Sequence, residues 1–505
     1  MKSRRGPDTG ELFAQAVARH QAGAVGEAEK LYRAVLQRDS GHLGARCNIA
    51  LALHQAGRLD AAVKSYLWAV ARGVTAAEIH NGLGMALQEL GREDEAVAAL
   101  RRGIAIQPGD ASLFNSLGIA YRRQNRLGEA LAAYGRTLAV EPAHVLARLN
   151  AGNAYREQGR LDQAIEAYRQ CLRLRPDLGD AHHNLAMALL ARGDFQEGWD
   201  AFEWRAAISR KAGRVRAFTG PEWQGESGAG QRLFLYAEEG IGDTIQFVRY
   251  ARMAAERGFR VTLEVQEPLL RLVTGLPGIE RVIAAGTEIP PYDLRCSLLS
   301  LPRVFRTDLA TIPAEIPYLS ADPAVTEAWR AKLADKKGLK VGIAWRGNPQ
   351  HLRDRQRSLS LAWFLDRLDR PEIDIVSLQK DFAWAEFPKT SDKARFMEAG
   401  RGLADFADTA GLVANLDLVV TVDTSVCHLA GALGVPVWTL IDFANDWRWM
   451  TERADTPWYP SMRLFRQDRP GDWEGVARRL EDELSNPKSG STPRRSRCDN
   501  IPEKR

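Results

Sequence analysis

Residues 118–142 read GIAYRRQNRLGEALAAYGRTLAVEP, and a few positions in this stretch decide the architecture of the N-terminal half. Gly118 offers the small surface at which two antiparallel helices can cross closely. Asn125 stands where the chain leaves one helix for the next. Ala130 is a second small contact, the large Tyr134 follows four residues later, and Pro142 stops the second helix. The pattern recurs every 34 residues. The first small position falls at Ala16, Ala50, Gly84, Gly118, Gly152 and Ala186, and the turn at Gly23, Gly57, Gly91, Asn125, Gly159 and Gly193. The second small position gives Ala28, Ala62, Ala96, Ala130, Ala164 and Gly198, and the large residue Tyr32, Tyr66, Leu100, Tyr134, Tyr168 and Phe202. Pro108, Pro142 and Pro176 end three of the units.

A helical hairpin of this kind cannot bury its own apolar face, so neighbouring units must stack into a solenoid. The pattern resembles the tetratricopeptide repeat, with about six units over residues 9–212. The resemblance implies a groove that takes a protein or peptide partner, and it supplies no chemistry of its own. The sixth unit departs from the pattern at Gly198 and continues as Trp199, Phe202 and Trp204. Exposed tryptophan would be costly, so this cluster is expected to be the seam between the solenoid and the second half of the chain.

The whole chain has 505 residues, 45% of them apolar and 26% charged, the balance of a globular protein of roughly three domains. Five scattered cysteines with no CxxC pair suggest neither a zinc knuckle nor a redox dithiol, and the odd count suits a reducing compartment. The net charge of +5 lies in the ends: residues 1–8 carry +2 and residues 486–505 carry +4, leaving the body close to neutral. The basic balance therefore does not argue for nucleic-acid binding, and 486–505 reads as a flexible basic tail. No apolar run follows the N-terminal basic residues and no uninterrupted 18-residue apolar segment occurs, so the expectation is a cytoplasmic protein without membrane insertion.

From about Gln231 the period changes. Short apolar segments at 232–237, 261–265, near Val282 and at 294–301 alternate with helical patterns. After a Pro-rich connection at 312–318 the alternation restarts with segments at 340–344, 373–378, 418–422 and 435–441, then a helix at 473–484. Alternation of this kind predicts mainly parallel sheets covered by helices, in two Rossmann-like domains, 231–318 and 319–485. Ligands of such sheets bind beyond the carboxyl ends of the strands.

Three loops at those ends carry possible chemistry. In the first, Glu239-Gly240-Ile241-Gly242-Asp243, the glycines Gly240 and Gly242 allow close approach to backbone N–H groups, but the third glycine of the dinucleotide fingerprint is missing. Asp243 reads either as a helix cap or as a carboxylate aimed into a cleft as general base. The second, Asp423-Thr424-Ser425 with His428 one turn on, hands a strand to a helix, where amides and hydroxyls suit phosphate. Arg346 (with Asn348 in the same exit loop), Arg357 and Lys380 stand at or near other strand exits and could neutralise a diphosphate, or could be solvated surface charges. His428 reads equally as a packing residue or a ligand contact. The third loop, Phe443-Ala444-Asn445-Asp446-Trp447-Arg448-Trp449, reads either as a sugar or base platform or as an aromatic wedge between domains.

Residues 231–485 resemble the heptosyltransferases, glycosyltransferases of the GT-B fold, through Glu239–Asp243, Lys380 and the DTSVCHLA run at 423–430. The resemblance is closer still to bacterial proteins that join tetratricopeptide repeats to such a domain, through WQG, EEGIGDTIQFVRY, DTSVCHLAGALGVPVW, DWRWM and PWYPSMRLFRQ. It implies an inverting transfer from a nucleoside diphosphate sugar, the donor substrate, with no metal, to a glycan or protein acceptor. Asp243 would be the base. Gly240, Gly242, Arg346, Asn348, Arg357, Lys380, Asp423, Thr424, Ser425 and His428 would hold the donor, and Glu239, Gln246, Asn445, Asp446, Trp447 and Arg448 would contact sugar, base or acceptor. No D-x-D occurs in 231–485, in keeping with metal-free chemistry. The alternative is a non-catalytic repeat scaffold with a degenerate transferase domain.

Overall fold

The computed structural model describes residues 8–211, 218–350, 354–388 and 393–485. The expected basic ends, 1–7 and 486–505, lie outside the described residues. The chain divides into two compact units, Met1–Leu185 and Ala186–Arg505.

The first unit is a run of antiparallel helix pairs, from Thr9–Gln21 and Val25–Arg38 to Val145–Glu157 and Leu161–Leu174. Its geometry explains the 34-residue pattern. A Cβ on Gly84 would meet Leu100 at 2.6 Å, and a Cβ on Gly118 or Gly152 would run into the ring of Tyr134 or Tyr168. Each small residue thus receives the large residue of its own unit. The turns require a left-handed backbone, with φ of 70° at Gly57 and 59° at Asn125, which glycine adopts freely and asparagine tolerates. Pro108, Pro142 and Pro176 follow helices that end at Ile106, Val140 and Leu174. Buried Ala, Leu and Tyr side chains form the two cores of this unit.

The second unit begins inside the helix Gly179–Arg192, so the helices Phe195–Phe202 and Arg205–Lys211, predicted as the end of the solenoid, belong to it. The reason is the aromatic cluster. The Trp199 ring lies edge-on to Trp447 at 5.2 Å and its Nε1 donates to the Thr307 carbonyl at 2.9 Å. Arg205, buried, donates to Glu238 at 2.9 Å and to Ser300 at 2.6 Å.

Two all-parallel sheets complete this unit. The first has four strands in the order β3-β2-β1-β4: β1 Arg232–Tyr236, β2 Arg260–Val265, β3 Ile279–Ala284 and β4 Leu294–Ser297. The second has six, in the order β10-β9-β8-β5-β6-β7: β5 Leu339–Ala344, β6 Ile373–Ser377, β7 Phe396–Glu398, β8 Leu418–Val422, β9 Val437–Ile441 and β10 Met462–Arg466. Strands β5, β6, β8 and β9 are almost wholly buried, as their largely apolar sequences require. One core passes through both sheets and a second covers the other face of the six-stranded sheet. The helical stretch between β1 and β2 is divided in two, Ile241–Phe247 and Arg249–Glu256. Among the described residues no helix is long and apolar enough to cross a membrane.

Candidate functional site

Three loops from the carboxyl ends of parallel strands meet in the second unit. After β1 the chain enters the helix Ile241–Phe247, after β8 the helix Ser425–Ala432, and after β9 a short 3-10 turn, Trp447–Trp449. The first two helices pack closely because Gly242 has no side chain: a Cβ there would lie 3.0 Å from His428 Cδ2 and 3.6 Å from Ser425 Cα. The close approach at this glycine is helix against helix, not the approach to backbone N–H groups that the loop suggested.

The Asp243 carboxylate sits at this junction. One oxygen accepts the Gly240 N–H at 2.9 Å, the capping reading, and the other accepts from the Arg448 guanidinium. Arg448 is buried, and it also donates to Gln246 Oε1 at 2.6 Å and to Asp446 Oδ1 at 2.8 Å. One guanidinium therefore joins Asp243 and Gln246 of the four-stranded part to Asp446 of the six-stranded part. Gln246 is fully buried, and its Nε2 is left without a hydrogen-bond partner.

The second loop lies beside it. Thr424 caps its helix, its hydroxyl accepting the Val426 N–H at 3.3 Å. Burial, with the Asp446 charge, pushes the Asp423 carboxyl up to about 6. Burial also opposes ionisation of Asp446, but the Arg448 charge and N–H outweigh it and hold that carboxyl below its usual range. The Arg357 guanidinium donates to the Asp423 carbonyl at 2.9 Å. His428 stacks on Trp449 at 5.3 Å, and its Nδ1 pairs with the Tyr459 hydroxyl at 2.9 Å. Burial, then the charge of Arg448, lower its imidazole to about 3, so the ring is neutral. Burial likewise raises the carboxyl of Glu239, next to Asp243 and Glu238.

Asp423, Cys427 and His428 place one donor atom each within 4.8 Å of one another, a spacing that would suit a metal ion. The guanidiniums of Arg357 and Arg448 act on Asp423 and His428 alike. The Asp446 carboxylate acts on both as well, so the cluster lies among fixed charges of both signs.

Other predicted residues stand elsewhere. Arg346 is spent on acids, donating to Asp381 at 2.9 Å and to Glu386 at 2.6 Å. Lys380 is exposed and reaches the Ala404 carbonyl at 3.4 Å. Asn348 closes its own turn, accepting from Gln350 N at 3.0 Å. Asn445 donates to the Asp446 and Met450 carbonyls at 2.8 and 3.0 Å. Trp447 is 3% exposed and packs among Trp199, Phe202, Phe247 and Trp458. The wedge reading of that loop holds for Trp447; it presents no face to a sugar or base. Sequence reasoning missed the Arg448–Asp243 pair, for which 205 residues of separation left no signal. It missed Tyr459 as the partner of His428 too, although Tyr459 was visible in an aromatic run.

Comparisons with known proteins place the first unit. Models described as tetratricopeptide repeats match residues 47–111, 111–140 and 152–193. The N-terminal region is built of tetratricopeptide repeats. Among solved structures, the chain is similar to YrrB, described as a TPR protein with an unusual peptide-binding site (21% identity, TM-score 0.31, 35% of this chain and 91% of that one). It is also similar to TTC0263, a thermophilic TPR protein of Thermus thermophilus (22% identity, TM-score 0.31, 36% and 100%). A longer likeness is to Protein FlbA of Caulobacter vibrioides, 28% identical over 333 residues, covering 61% of this chain and 55% of the relative. The chain thus matches about half the length of that curated relative.

Proposed function

We propose that the second unit is a glycosyltransferase of GT-B arrangement that uses a nucleoside diphosphate sugar, and that the tetratricopeptide repeats hold a protein or peptide partner. The observation that carries this reading is the convergence of Asp243, Arg448 and the Asp423–Ser425 helix start at the carboxyl ends of strands from two parallel sheets. Parallel sheets bind ligands there. The diphosphate would lie against Arg448, Arg357 and the start of the Ser425–Ala432 helix, whose amide dipoles favour anions. The acceptor hydroxyl would attack the anomeric carbon, passing its proton to Asp243, as the C–O bond to the diphosphate breaks. The cations would carry the charge of the leaving group without a metal. The acceptor would be a glycan or a protein.

A second reading, a non-catalytic scaffold, is favoured by a specific observation: both oxygens of Asp243 are engaged, and Arg346 is fully occupied by acids. A thermal-shift panel of nucleoside diphosphates and their sugars, followed by transfer and donor-hydrolysis assays, separates the two, since a ligand of the native state raises apparent stability by mass action. Stabilisation with turnover supports the transferase; stabilisation without turnover supports the scaffold. No shift with any nucleotide defeats both donor-site readings.

A further inference from the structure

We propose that a groove in the first unit selects peptides that carry large apolar side chains flanked by lysine or arginine. The cavity, of about 760 Å³, runs along the helices Leu43–Gln55 and Ala77–Glu89, the first helices of successive repeats, and reaches the start of Ala111–Arg123. Its lining contains three acids, Glu78, Glu89 and Asp110, and no lysine or arginine. The only basic group there is His54, which pairs with Glu89 at 2.9 Å, and Asp110 caps its helix through Ser112 N at 2.8 Å. Glu78 is exposed on the same wall. A groove with this balance attracts cationic side chains and repels anionic ones.

The apolar part of the specificity comes from Leu51 and Met85. Both line the cavity, both are 42% exposed, and they occupy the same position one repeat apart. A large apolar side chain left this open gains by being covered, at about 25 cal/mol per Å² removed from water. The same register holds Val17 in the repeat before and Ile119 in the repeat after, each half-buried. At the next step it holds Asn153, which accepts from Tyr168 at 2.8 Å and from Asn184 at 3.0 Å. The apolar ladder therefore runs through four repeats and stops. Asn48 and Asn81 also line the cavity and add amide groups to its wall.

This inference rests on the reading of the repeats as a peptide groove, and it is independent of glycosyl transfer. The test uses the full chain and fluorescence anisotropy with labelled peptides of about twelve residues, which span roughly 40 Å when extended. The probe combines leucine and lysine in a Gly/Ser background. One control replaces each lysine by glutamate, and another replaces each leucine by serine. The leucine–lysine peptide should bind saturably, with each control weaker by at least about fivefold, the upper range of one exposed ion pair. Glu78→Lys and Met85→Ser, both at exposed positions, should each weaken it by about threefold or more with unchanged thermal midpoints. Equal affinity for the glutamate peptide, or indifference to both variants, overturns the proposed selectivity. Binding of only the glutamate peptide, still sensitive to Met85→Ser, overturns it and leaves the groove; failure of every peptide defeats the groove reading as well.

Discussion

The guanidinium of Arg448 donates to the carboxylate of Asp243, which lies 205 residues earlier in the chain. The side chain of Arg448 is 10% exposed and that of Asp243 25%, so water screens this pair weakly. The same guanidinium reaches Asp446 in the six-stranded part. Acid, cation and acid thus form a bridge between two halves whose helices already touch at Gly242. The group proposed to stabilise a departing phosphate is thus also the one that engages the proposed base.

Replacing Arg448 by alanine leaves Asp243 and Asp446 facing each other's surroundings without their shared counter-charge. Removal of one partner from a buried pair costs about 3–5 kcal/mol. With Asp243 part-exposed, the expected loss is about 3 kcal/mol in urea unfolding of the second unit. Arg448→Lys should recover less than half of it, because an ammonium cannot bridge Asp243, Gln246 and Asp446 as a planar fork does. An alanine variant as stable as the parent would show that the bridge contributes no net stability.

Asp243→Asn tests the proposed base separately from the bridge. The amide keeps the size of the carboxylate and can still accept a hydrogen bond from Arg448, but it cannot take up a proton. Transfer from a nucleoside diphosphate sugar should fall by about two orders of magnitude or more, the range for loss of a general base. Donor affinity, read by calorimetry, should stay within a few fold. Unchanged turnover removes Asp243 from the role.

Acid stability should reflect two opposed groups at the same junction. Asp423 titrates near 6 in the native state and near 3.9 when unfolded, so between those values only the native state holds the proton. That group favours folding as the pH falls from 6 to 4 and carries its full penalty above 6. His428 titrates near 3 in the native state and near 6.5 when unfolded, so falling pH over that range favours unfolding. Asp423→Asn should therefore stabilise the protein at pH 8, by up to about 3 kcal/mol for a shift of two units, and make the loss from pH 6.5 to 4 steeper. His428→Gln should flatten the same loss. Denaturant midpoints at pH 4.5, 6 and 8 read both effects, and parallel curves for all three proteins would refute them.

How much of this was legible in the sequence depends on the range of the interactions. The repeats were readable because Gly118 and Tyr134, the pair that sets their spacing, lie sixteen residues apart in one hairpin and recur in register. Strands such as β8, Leu418–Val422, announced themselves as short, mostly apolar β-branched runs. Strands β7 and β10 did not, because Phe396–Glu398 is three residues long and Met462–Arg466 is interrupted by Arg463 and Arg466. At the site, the sequence could mark Asp243 and Arg448 separately, as a residue of a glycine loop and a residue of a Trp-rich loop. It could not pair them, since nothing local records which strand ends come together. Arg346 shows the converse: a strand-exit arginine looks free until the fold brings Asp381 and Glu386 against it.

Gly242 offers a last, purely steric prediction. Alanine has the better intrinsic helix propensity, by about 1 kcal/mol, so the substitution should help if local structure decided the outcome. The added methyl would lie 3.0 Å from His428 Cδ2, and that ring has little room to retreat, stacked on Trp449 and hydrogen-bonded to Tyr459. The Ile241–Phe247 and Ser425–Ala432 helices must then separate, at an overpacking cost of about 1–3 kcal/mol, and the net effect should be a loss. Gly135 serves as the contrast, since it is exposed within the helix Leu127–Val140 and a Cβ there meets nothing within 4 Å. Gly135→Ala should stabilise the first unit by about 0.5–1 kcal/mol. Calorimetry that resolves the two units reads both changes in one experiment. A Gly242→Ala variant that gains stability as Gly135→Ala does would mean that the two helices are not held at this distance, and the Asp243–Arg448 bridge would then be an occasional contact.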